Sequence, residues 1–82
     1  MKRIAFTKAA ARALQRHSNR AATIRDKIKA YATDPASQAN NVRKLIGSDA
    51  CRLRVGDFRV LFVETADTIT ILDIGPRGGI YE

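Results

Sequence analysis

Cys51-Arg52-Leu53-Arg54-Val55-Gly56-Asp57-Phe58-Arg59-Val60-Leu61-Phe62 constrains the fold more than any other stretch of the chain. Two runs that alternate apolar residues with arginine, Cys51 to Val55 and Phe58 to Phe62, flank Gly56-Asp57. That pair reads as a two-residue hairpin loop, with glycine first as a type II′ turn prefers. So short a loop sets the register. Val55 pairs with Phe58, Arg54 with Arg59, Leu53 with Val60 and Arg52 with Leu61. Directly paired residues share a face, and the face alternates along each strand. One face then holds Cys51, Leu53, Val55, Phe58, Val60 and Phe62, which is a core. The other holds Arg52, Arg54 and Arg59, with Leu61 and Val63 beyond.

The remaining segments fit around this hairpin. Arg3-Ile4-Ala5-Phe6-Thr7 reads as a short strand with Ile4 and Phe6 alternating against polar neighbours. Thr7 can cap a helix from Lys8 to about His17, with Ala10, Ala13 and Leu14 as its apolar face. Ser18-Asn19 reads as a break and a new N-cap. A second helix follows to about Thr33, with Ala21, Ile24, Ile28, Tyr31 and Ala32 spaced three and four apart. Asp34-Pro35 ends it, because the residue before proline is pushed out of the helical region. Residues 36–44 read as a polar loop, anchored by Val42, Leu45 and Ile46 and closed by Gly47-Ser48. Strands are expected at about Ala50–Val55, Phe58–Glu64 and Thr68–Ile74. The order β-α-α-β-β-β predicts a single α+β domain over residues 1–82. A mainly antiparallel sheet would end in a three-strand meander, with a helical hairpin packed on one face.

The chain carries 15 Lys and Arg against 8 Asp and Glu, a net charge of +7 with a pI of about 10.3. That balance favours an anionic partner: RNA, DNA, an acidic protein or an anionic membrane. The arginine face puts nucleic acid first, since arginine is a poor choice for exposed strand positions unless an anion must be held. Residues 1–25 contain no Asp or Glu and many Ala and Arg, a composition shared with transit peptides. Reading them as the first strand and first helix is preferred, because a domain of 82 residues needs them to bury a core. No apolar run approaches the roughly 18–20 residues of a membrane span, and no membrane partner is expected. Cys51 is the single cysteine, so no internal disulfide can form. It reads as a small core residue, and a reducing cytoplasm is the expected location.

The chemistry is narrowed by what the sequence lacks. No His, Cys, Asp and Glu cluster has metal-ligand spacing, so neither a metal nor another cofactor is expected. No glycine-rich phosphate loop precedes a helix. With His17 the only histidine, and in a helical segment, a Ser-His-Asp site is implausible. Metal-free chemistry on a phosphodiester remains. RNA carries its own nucleophile, the 2′-hydroxyl, and an arginine cluster can stabilise the charge that builds on the phosphoryl oxygens. Arginine stays protonated and is a weak general base. Tyr81 is the other titratable group nearby, readable as a proton acceptor, a stacking platform or a frayed terminal residue. Lys8, Arg12, Arg16 and Arg20 recur every four residues, the first three as a stripe on one helix. The stripe is readable as a solvated face or as an RNA contact.

Together, Cys51 to Phe62, Ile71-Leu72-Asp73-Ile74-Gly75-Pro76-Arg77 and Ile80-Tyr81 resemble the RelE/ParE toxin superfamily, most closely its RelE branch in bacterial type II toxin–antitoxin systems. The resemblance spans the whole chain. It implies a small antiparallel sheet flanked by helices and an endoribonuclease that cleaves mRNA in the ribosomal A site without a metal. The products would be a 2′,3′-cyclic phosphate or 3′-phosphate and a 5′-hydroxyl. Arg52 and Arg54 match the paired basic residues of the first meander strand, Arg59 the arginine of the next, Arg77 the basic residue after the last strand, and Tyr81 the terminal tyrosine. Some members carry lysine at the position of Arg52, and Pro76 replaces a basic residue or histidine found in many. The resemblance assigns Arg52 and Arg54 to phosphate stabilisation, Arg77 to the leaving-group side and Tyr81 to orienting or stacking the base. Lys8, Arg12, Arg16, Arg20 and Lys44 would contact RNA. The implied partners are a cognate antitoxin, the ribosome with its mRNA, and operator DNA only through the antitoxin. The alternatives are a ParE-like poison of DNA gyrase, or a degenerate toxin acting with its antitoxin as a co-repressor.

Overall fold

A computed structural model describes residues 1–78. In chain order the elements are β1 (Arg3–Phe6), α1 (Lys8–Arg16), α2 (Ser18–Thr33), a 3-10 segment (Pro35–Asn41), β2 (Val42–Lys44), β3 (Cys51–Val55), β4 (Phe58–Glu64) and β5 (Thr68–Pro76). The strands form one sheet in the order β1-β5-β4-β3-β2. β5, β4, β3 and β2 run antiparallel to their neighbours, and β1 joins the edge parallel to β5. The fold class and the C-terminal meander are as the sequence predicts.

The hairpin has the expected register throughout, from Val55 opposite Phe58 to Cys51 opposite Phe62. Gly56 adopts a φ of +56°, the left-handed conformation that the first residue of this turn needs and glycine takes without strain. Leu53, Val55, Val60 and Phe62 turn to the core together with Ile69, Ile71 and Ile74 of β5. Ala10, Ala13 and Leu14 of α1 and Ile24, Ile28 and Ala32 of α2 close over them. The small alanines let α1 lie close against β5, the strand it packs on most. Thr7 caps α1 as expected, its Oγ1 accepting from the Ala10 N–H at 3.1 Å and donating to the Leu72 carbonyl at 2.7 Å.

Four local readings need correction, the first being Ile46, which is fully exposed rather than an anchor. Residues 36–44 are not a plain loop: two short 3-10 turns meet at Gln38 and lead into β2. β2 pairs with β3 and covers its edge, which would otherwise expose unpaired backbone groups. The helix break falls at His17 rather than Ser18-Asn19, and Ser18 already belongs to α2. His17 has left the helical region (φ −111°, ψ 48°), and its ring meets Phe58 edge-on at 4.8 Å between centroids. β5 continues to Pro76, with Gly75 opposite Arg59 and Pro76 opposite Phe58. A bulge opposite Leu61 and Phe62 skips Leu72, so Asp73 pairs with Leu61 while Ile71 pairs with Phe62.

A polar latch joins the chain start, α2 and the end of β4. Lys2 Nζ donates to Glu64 Oε2 at 2.5 Å and to the Thr65 carbonyl at 2.8 Å. The Tyr31 hydroxyl donates to Glu64 Oε1 at 2.5 Å. Burial pushes the Glu64 carboxyl up, but the hydrogen bonds from Lys2 and Tyr31 and the Lys2 charge outweigh it and hold the group below its ordinary range. Tyr31 moves the other way: burial, then its bond to Glu64, raises its hydroxyl far above the usual tyrosine value.

Candidate functional site

The face of the sheet turned away from the helices carries two rows of side chains. Arg43, Arg52, Leu61 and Asp73 are partners across β2, β3, β4 and β5. One step towards the hairpin turn, Arg54, Arg59 and Gly75 are partners across β3, β4 and β5. Paired residues point to the same side, so Arg43, Arg52, Arg54 and Arg59 converge. With Asn40 and Asn41 they line a basin of about 150 Å³. No carboxylate is among the lining residues. At roughly 30 Å³ per water the basin has the volume of about five waters. It suits a phosphodiester group rather than a whole drug-sized ligand, which needs several hundred Å³.

The arginines are held differently. Arg59 is buried, at 9 % exposure. Its Nη1 donates to the Gly56 carbonyl at 3.2 Å and to the Phe58 carbonyl at 3.0 Å. It clasps the turn while adding positive charge beneath the basin. Arg54 is exposed and reaches the other way, its Nη2 donating to Asn41 Oδ1 at 3.3 Å. Arg52 is half-buried and Arg43 exposed. A phosphate seated here would meet guanidinium groups able to offer paired N–H donors, a strong geometry for holding a phosphoryl oxygen.

Arg77 follows β5, and its backbone N–H donates to the Asp57 carbonyl at 2.6 Å. That bond fixes Arg77 beside the hairpin turn, at the Arg54–Arg59 end of the face, where it is exposed and not among the basin's lining residues. Tyr81 lies outside the described residues. Lys8, Arg12, Arg16 and Arg20 are exposed on the helices, the layer packed on the opposite face of the sheet. Arg16 directly precedes His17, whose ring meets Phe58 of the hairpin. Lys44 pairs with Cys51 and so turns towards the core side. Arg43, its neighbour, takes the place at the basin. The sequence does not mark Arg43, Asn40 and Asn41 as site residues, because residues 36–44 read as a loop. The available signal was Val42: an apolar anchor facing inwards on a strand sends Arg43 outwards. Asp73 also reaches the arginine face unannounced, its side chain accepting from the Ile74 N–H at 2.8 Å.

Comparison with known proteins agrees with this architecture. Residues 4–81 match the family model described as ParE toxin of type II toxin-antitoxin system, parDE. No curated protein sequence matches the chain. Among solved structures, the archaeal RelE–RelB complex from Pyrococcus horikoshii OT3 contains a chain 27 % identical, with a TM-score of 0.77 over 95 % of this chain and 97 % of that one. The RelB–RelE antitoxin–toxin complex from Methanococcus jannaschii gives 25 % identity and a TM-score of 0.61, over 94 % of each chain. The RelBE2 toxin–antitoxin complex from Mycobacterium tuberculosis, 22 % identical with a TM-score of 0.67 over 93 % of this chain and 98 % of that one, shares the fold. The chain therefore belongs to the ParE toxin family of type II toxin–antitoxin systems, within the RelE/ParE superfamily, and is built like the superfamily's RelE branch.

Proposed function

We propose that the protein is a ribosome-dependent, metal-independent mRNA endoribonuclease that inhibits translation. The observation that carries this reading is the basin, in which four arginines with no carboxylate among them line a volume of phosphodiester size. The ribose 2′-hydroxyl gives up its proton as its oxygen bonds to the adjacent phosphorus, the bond from phosphorus to the 5′-oxygen breaks, and that oxygen takes up a proton as it leaves, so the net proton count is unchanged. The products are a 2′,3′-cyclic phosphate and a 5′-hydroxyl. Arg52 and Arg54 stabilise the charge on the non-bridging oxygens, Arg43 and Arg59 add field, and Arg77 serves the leaving-group side. Tyr81 orients or stacks the base. Arg12, Arg16, Arg20, Lys8 and Lys44 are contacts to ribosomal RNA, screened by salt as phosphate contacts are.

The partner is a cognate antitoxin, a reading supported by relatives solved as RelE–RelB complexes. An acidic antitoxin segment over the arginine face would neutralise it, and operator DNA would be reached only through the antitoxin. The family description favours a second reading, a ParE-like gyrase poison. Induced expression separates the two. The nuclease produces codon-phased mRNA cuts with intact DNA, and the cuts disappear in Arg77→Ala and Tyr81→Phe. Growth arrest with broken DNA and intact mRNA would establish the gyrase reading instead.

A further inference from the structure

Apart from Arg59, Gln38 is the only buried polar side chain among the described residues, at 7 % exposure. It sits at the kink between the two 3-10 turns, with φ −114° and ψ 16°. Its Nε2 lies 3.5 Å from Ser37 Oγ, which itself donates to the Asp34 carbonyl at 2.7 Å. Its Oε1 accepts from Asn41 Nδ2 at 3.1 Å. Asn41 Oδ1 then accepts from Arg54 Nη2 at 3.3 Å. A chain of hydrogen bonds thus runs from a buried amide to the arginine that projects into the basin.

The chain has a direction. Gln38 Oε1 can only accept, so it selects the NH₂ end of Asn41 and turns the Asn41 oxygen towards Arg54. A flipped Asn41 would set its NH₂ group against the guanidinium, donor against donor. The last bond is long for N–H···O and its acceptor is neutral. An anionic phosphoryl oxygen is a stronger acceptor and takes the guanidinium's other N–H groups, leaving the bond to Asn41 to fix its orientation. We infer that Asn41, oriented by buried Gln38, is a positioning residue that holds Arg54 in the basin while its other N–H groups meet the substrate phosphate.

The kinetic form of this inference rests on the proposed nuclease reading, and its binding form does not. The test is a double-mutant cycle between Asn41→Ala and Arg54→Ala, read in single-turnover cleavage on ribosomes programmed with mRNA. Asn41→Ala is expected to slow cleavage about five- to tenfold, the scale of one orienting hydrogen bond, and to add nothing in the Arg54→Ala background. Gln38→Leu should behave like Asn41→Ala, and Gln38→Glu, which keeps the acceptor, should recover the rate. A merely structural role would lower the melting temperature and slow both backgrounds equally, and that additive result overturns the proposal. The same cycle is run on binding of a 2′-O-methyl RNA trinucleotide, which cannot be cleaved. If wild type binds but does not cut, the nuclease reading fails, and coupling or additivity in binding decides the inference. If wild type neither binds nor cuts, both fail.

Discussion

Arg54 and Arg59 stand opposite each other across β3 and β4, and such a like-charge pair weakens a sheet by about 0.2–1 kcal/mol. The structure separates their duties: Arg59 turns to the Gly56 and Phe58 carbonyls, and Arg54 to Asn41. The two substitutions should therefore part company. Arg54→Ala is expected to leave thermal stability within about 0.5 kcal/mol of wild type, as surface changes do, while cutting single-turnover cleavage by about 100-fold, the scale of one lost transition-state donor. Arg59→Ala is expected to lower both, since the turn carbonyls lose their donor. Equal melting curves for the two variants would contradict this division. Three of the four basin arginines were readable from sequence, because a two-residue turn leaves one register and hence one face. Arg43 was not, because its place depends on a three-residue strand whose pairing lies in tertiary structure.

At the level of elements, legibility followed the strength of local signals. Thr7 before an alanine-rich run, Pro35 after α2 and Gly56 at the turn each force a local conformation, and the cap, the helix end and the turn fall there. β2 is too short to show alternation, and the break at His17 coincides with a ring contact to Phe58 of β4 that the local sequence does not show. The cap is testable: Thr7→Ala should cost about 1 kcal/mol in urea melts, and an unchanged midpoint would show that α1 needs no cap. The Lys2–Glu64–Tyr31 latch is testable by pH. Glu64 is held below its ordinary carboxyl range on folding. Its contribution is therefore fully present above the unfolded value, near pH 4.3, and is lost as pH falls through the lower folded one. Below about pH 5 wild type should lose stability more steeply than Glu64→Gln. Parallel slopes would mean the latch carries no linkage.

The whole molecule divides its sheet between two tasks. The helices close one face into a core, leaving the other to arginine. A net charge of +7 carried by exposed Lys and Arg on both layers implies an association steered by charge and weakened by salt. Arg43→Ala should reduce the slope of log affinity against log salt by about 0.7 for a single-stranded RNA, and an unchanged slope would remove Arg43 from the phosphate contacts. In the proposed reading, the arginine basin promotes cleavage of RNA by the RNA's own 2′-hydroxyl. The most direct test of that reading is the end chemistry of mRNA recovered from programmed ribosomes after incubation with purified protein. The expected result is cuts within the A-site codon that leave 5′-hydroxyl and 2′,3′-cyclic phosphate ends, made without added metal and lost in the Arg52→Ala, Arg54→Ala double variant. Intact mRNA, or cuts bearing 5′-phosphates that persist in that variant, would contradict it.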